Sequence, residues 1–162
     1  MRTMTITPME GLKNCRILQF DGSEAVSSFF SFVLVLAVDE PVEEGALLGK
    51  SLGFTLKCDQ GKRKLNGIVH TIERLIPMKG VLHSYKVTLV PSFYLLVEHR
   101  DCRAYYNKSV LDIAQFWFDY FGLKNIDFSQ LQSTYPAMRY CVQFNESVFD
   151  FLSRLFSQYG LY

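Results

Sequence analysis

The sequence predicts an α+β protein: a small antiparallel β-barrel followed by an α/β segment with two amphipathic helices. Three observations predict it. Short apolar, β-branched and aromatic runs separated by turn signals fill the first half. From Ser109 onward the apolar spacing changes to three and four residues, which is the face of a helix. Serine opens each helical stretch and glycine closes it.

Taken in order, residues 1–14 read as a flexible N-terminus, 15–95 as the barrel, and 96–162 as a connector plus a helix–strand–helix segment. Arg16 to Phe20 reads as a strand ending at the turn signal Asp21-Gly22. Phe29 to Leu36 is too continuously apolar for a surface helix and ends before Pro41. Leu47-Leu48-Gly49 marks a turn into a strand over Phe54 to Cys58. Asp59 to Lys62 reverses the chain into Leu65–Leu75, and Pro77 to Gly80 reverses it again into Tyr85–Val90. Gly53 and Gly67, inside strand patterns, suit bulges or bends that help a sheet close. Glu98-His99-Arg100-Asp101 reads as a charged connector.

Ser109 with Asp112 forms a capping signal. Val110, Ile113, Ala114, Trp117, Phe118 and Phe121 make one helical face, stopped by Gly122. The same pattern returns with Ser147 as cap, Val148, Phe151, Leu152, Leu155 and Phe156 as stripe, and Gly160 as stop. Either this stripe packs on the barrel, and Phe151→Ala costs roughly 3–5 kcal/mol, or it is an empty partner surface, and the loss is under about 1 kcal/mol. Tyr140 to Phe144, between the helices, reads as a short strand. After Gly160 the chain offers only Leu161-Tyr162, which reads as the end of a fragment.

Composition narrows the function. A chain of 162 residues buries roughly 70% of its unfolded surface and needs no staple to fold. Lys+Arg 17 against Asp+Glu 16 gives a formal charge of +1, with no basic stripe for nucleic acid. The densest run, Lys62-Arg63-Lys64, reads as a solvated hairpin tip. Aromatic residues reach 15%, an excess that core and protein interfaces both use. Cys15, Cys58, Cys102 and Cys141 lack metal or redox spacing and read as small buried hydrophobes. The N-terminus lacks a Sec signal, and the apolar stretch Phe29–Val38 is too short to span a bilayer.

No nucleophile elbow, zinc-protease motif or phosphate loop occurs. His70, His83 and His99 read as half-exposed packing residues. Adjacent residues in Glu98–Asp101 would point to opposite faces of an extended segment, which spoils an acid–base site. No catalytic, cofactor-binding or metal residue is predicted, and no cofactor. The reading from residues alone is a non-catalytic assembly module. An enzyme or ligand-binding barrel is the alternative class, including carbohydrate or peptide binding on exposed rings.

Tyr140 to Leu155, with Gln143, Glu146, Ser147, Asp150, Phe151, Leu152, Arg154 and Leu155, closes on Gly160-Leu161-Tyr162. It resembles a signature of the VgrG family, the spike proteins of bacterial type VI secretion, related to phage tail-hub and late control D proteins. Looser agreement runs through Phe20 to Glu24, Leu48-Gly49, Gly67 to Val69, Tyr85 to Pro91 and Ser109 to Ile113. The chain departs from the family at Arg103-Ala104-Tyr105-Tyr106, where an Arg-Val/Ile-Phe-Gln run is usual. The resemblance implies a tail-hub barrel in a homotrimer that seats on an Hcp-like tube protein, with effectors carried along. It implies packing roles for Gln143, Glu146, Ser147, Phe151, Leu152, Arg154, Leu155 and Gly160. It implies assembly in the bacterial cytoplasm and expulsion by the machine, with no direct membrane insertion by this region. A baseplate hub of a contractile phage tail is the second reading within the same class. One barrel cannot complete a ring, so weak trimerisation at best is expected of this chain.

Overall fold

The computed structural model of the chain describes residues 3–7, 12, 14–25, 28–58, 61–76, 83–124 and 126–161. The chain divides into two compact units, Met1–Pro91 and Ser92–Tyr162. Each has its own apolar core.

In the first unit, strands β1 (Thr3–Ile6), β2 (Arg16–Ser23), β3 (Ser31–Val38), β4 (Ser51–Cys58), β5 (Gly61–Leu75) and β6 (His83–Val90) form one sheet, with a single helical turn α1 (Glu44–Leu47) after β3. The order is β1-β4-β5-β6-β3-β2, and every neighbouring pair is antiparallel. Leu34, Leu36, Leu52, Val87 and Leu89 are fully buried on its concave side. Strand twist and the register shifts at Ile17/Gln19 and Val69/Thr71 curl the sheet into a half-barrel. The curl is visible in contacts between strands far apart in the sheet order. Phe20 on β2 meets Phe54 on β4 with ring centroids 5.3 Å apart, and Arg63 at the start of β5 pairs with Glu24 at 2.7 Å. Edge strands β1 and β2 approach within 8 Å between Cα atoms, though no ladder joins them among the described residues.

Asp21-Gly22 does not turn; β2 runs on to Ser23, paired with Ser31. The expected flexible N-terminus contributes β1, paired with β4 from Thr3↔Lys57 to Ile6↔Phe54, and Leu12 is buried in the core. Gly53 and Gly67 lie in unbroken register, Gly53↔Asn66 and Leu52↔Gly67, so neither marks a bulge. Gly67 is there for close approach: a Cβ would stand 2.8 Å from the Val90 carbonyl oxygen. Lys62-Arg63-Lys64 is exposed but lies on β5 opposite Lys57, Leu56 and Thr55. The reversals expected at 59–60 and 77–80 lie outside the described residues.

The second unit begins with a 3-10 turn (Ser92–Tyr94) and a helical turn α2 (Leu95–Glu98). Then follow β7 (Arg100–Lys108), α3 (Val110–Tyr120), β8 (Met138–Ser147) and α4 (Val148–Tyr159). β7 and β8 pair antiparallel as a two-stranded ribbon. Trp117, Ile113, Ala114, Phe151 and Leu155 form a core with Tyr105 and Cys141 of the ribbon. Val148, Phe151, Leu152 and Leu155 of α4 are therefore buried among residues of their own unit. Glu98-His99-Arg100-Asp101 is no connector either: Glu98 ends α2, and Arg100 and Asp101 open β7, opposite Ser147 and Glu146. β7 escapes detection because only Tyr105 of its residues is buried, so it has no two-residue apolar period.

Both caps form as the sequence predicts. Ser109 Oγ accepts from the Asp112 N–H at 3.1 Å while Asp112 Oδ2 accepts from the Ser109 N–H at 2.8 Å, a complete capping box. Ser147 Oγ accepts from the Asp150 N–H at 3.0 Å. Gly122 and Gly160 take φ of 62° and 65°, left-handed stops that a side chain would strain. No described helix is long and apolar enough to cross a membrane.

Candidate functional site

Of the eight residues singled out from sequence, Gln143, Glu146, Ser147 and Arg154 gather at one corner, Phe151, Leu152 and Leu155 enter the core, and Gly160 ends a helix. Gln143 is fully buried on β8, and its Nε2 donates to the Glu146 carbonyl oxygen at 3.1 Å. That bond spans the tight segment where Asn145 takes φ 49° and the ladder shifts register at Asp101/Cys102. Asn tolerates the left-handed region because its short polar side chain bonds locally. Ser147, next in line, ends β8 and caps α4, whose first amide, Val148 N–H, donates to the His99 carbonyl oxygen at 2.9 Å. The helix is thus tied to β8 through the cap and to the residue before β7 through a backbone bond.

Arg154, two turns into α4, reaches back to the corner. Its Nη2 donates to Glu146 Oε1 at 2.6 Å and to the Val142 carbonyl oxygen at 3.2 Å, while Nε donates to Glu146 Oε2 at 3.3 Å. The two-point pairing fixes the guanidinium 5.3 Å from the Phe151 ring centroid. With the side chains 44% and 25% exposed, water screens the pair and its worth is below about 1 kcal/mol. Phe151, Leu152 and Leu155 point the other way, into the core, with Phe151 stacked on Tyr105 at 5.6 Å and 13°. Gly160 lies at the far end of α4, away from the corner, and ends the helix.

Burial pushes the Cys15 thiol up to about 11 and raises that of Cys141, so both are neutral at physiological pH. Burial likewise pushes the Tyr105 phenol up to about 12. Cys102 is exposed, a correction to the expectation of four buried cysteines; its Sγ accepts from the Asn145 N–H at 3.2 Å. The Arg103 hydrogen bond at 3.0 Å holds the Asp101 carboxyl below the usual aspartate range. His99 sits 5.5 to 5.6 Å from the rings of Trp117, Tyr120 and Phe121, a packing environment. An open groove of about 490 Å3 runs over Gly53 between Thr7, Ser51, Thr55 and Asn66, with Lys64 its one ionisable lining group. A lone ammonium supplies no acid–base pair. Among the described residues no three His, Cys, Asp or Glu side chains gather as a metal site.

The second unit presents a cluster of rings to solvent on one face of its ribbon. Residues alternate across the ribbon, so Tyr105, Cys141 and Gln143 face the helices while Tyr106, Tyr140 and Phe144 face outward. Those three are 64%, 57% and 78% exposed. Sequence reasoning missed this face because the ribbon inverts the usual rule, holding a glutamine inside and rings outside. The 15% aromatic content was the available signal.

The phage tail baseplate hub (GPD) family matches residues 23–162. Two curated relatives from Pseudomonas aeruginosa are the type VI secretion system spike proteins VgrG1c, 35% identical over 149 residues, and VgrG1b, 33% identical over 154. These alignments cover 91% and 94% of this chain but only 20% of each relative, so the chain spans about a fifth of the relatives' length. Among solved structures, the Escherichia coli c3393 protein superposes with a TM-score of 0.76 at 23% identity, over 96% of this chain and 43% of that one. It is described as a type VI secretion component with structural similarity to T4 bacteriophage tail proteins gp27 and gp5. A tail protein from Neisseria meningitidis superposes with a TM-score of 0.57 at 15% identity, over 98% of this chain and 46% of that one. With the family match running from the end of β2 through both units, the chain belongs to the phage tail baseplate hub family.

Proposed function

We propose that this chain is a structural hub part of a contractile injection machine, the N-terminal hub region of a type VI secretion spike that seats on an Hcp tube. The observation that carries the reading is the family match over 23–162, joined to relatives named as spike and tail proteins. A signature whose residues hold a corner, fill a core and end a helix supports it too, since an assembly part needs a rigid frame. On this reading the half-barrel closes into a barrel between β1 and β2, three copies of the complete hub form the spike, and effectors travel with it. It is assembled in the bacterial cytoplasm and expelled by the machine. The eight signature residues serve that frame: Gln143, Glu146, Ser147 and Arg154 hold the corner, Phe151, Leu152 and Leu155 fill the core, and Gly160 ends the helix.

A chimera tests this. Residues 23–162 of this chain replace the matching region of VgrG1c, and export of the chimera by a strain lacking its own VgrG1c is measured. Export near the parental level is expected; a folded, stable chimera that stays in the cell overturns the reading. If each copy brings one barrel, trimerisation is weak at best, and a tight trimer in sedimentation at micromolar concentration would refute the one-barrel account. A hub of a contractile phage tail has the same fold and mechanics, and the genes flanking this one separate the two.

A further inference from the structure

We draw no further inference here: the strongest candidate, the exposed outward face of the β7–β8 ribbon at Tyr106, Tyr140 and Phe144, carries nothing because nothing in the structure shows what covers it in a chain that spans about a fifth of its relatives' length.

Discussion

Replacing Phe151 by alanine removes a fully buried ring from the centre of the second core, where it stacks on Tyr105 at 5.6 Å. Truncation of a buried phenylalanine costs about 3–5 kcal/mol, from lost transfer energy and the cavity left behind. The stacking on Tyr105 is part of that figure. The Arg154 contact adds little, because the guanidinium side chain is 44% exposed. About 4 kcal/mol is therefore expected. Trp117, the only tryptophan of the chain, is fully buried in the same core, so its fluorescence reports this unit. With a urea slope of about 1.5 kcal/mol/M, the midpoint falls by roughly 2.5 M. Such a loss approaches the whole stability of a small unit. Phe151→Leu, which keeps most of the volume, gives a graded second point at about 1–2 kcal/mol. A loss below about 1 kcal/mol for alanine would mean that the ring is not core, and the packing described for α4 would be wrong.

The caps predict smaller effects: Ser147→Ala and Ser109→Ala each lower stability by about 1 kcal/mol in the same melts, and restoration by aspartate at either site confirms capping. Gly67→Ala forces a Cβ to within 2.8 Å of the Val90 carbonyl oxygen, and is expected to cost about 1–3 kcal/mol, read by thermal unfolding of the strand signal in circular dichroism. Acid acts through Asp112 and Asp101. Hydrogen bonds from the Ser109 amide and hydroxyl depress Asp112, and the Arg103 side chain depresses Asp101. Both carboxyls therefore stabilise the fold above the ordinary aspartate pKa, and that contribution is lost as pH falls below about 4 toward their folded values. Melts across that window show a fall in stability that Asp112→Asn partly removes; an unchanged slope in that variant would refute the linkage.

The helical half was legible from the chain alone because its signals are local. Ser109 with Asp112, Ser147 with Asp150, and glycine at 122 and 160 act within one turn of backbone, so cap, stripe and stop follow from spacing. The strands over Ser31–Val38 and His83–Val90 were legible for a similar reason, since burial of alternate or all side chains writes itself into composition. The signature corner was legible as a motif, though its working parts were not: that Arg154 staples Glu146 and that Gln143 holds a carbonyl are contacts across a bulge. Only the tertiary structure decided how the sheet curls, because Phe20 meets Phe54 through pairing among strands distant in sequence. It also decided that the α4 stripe is buried within its own unit, and that β7 exists at all. A strand with one buried residue carries no periodic signal, and which side of a ribbon faces solvent depends on what packs beneath it. Periodicity records burial; it does not record the neighbour that does the burying.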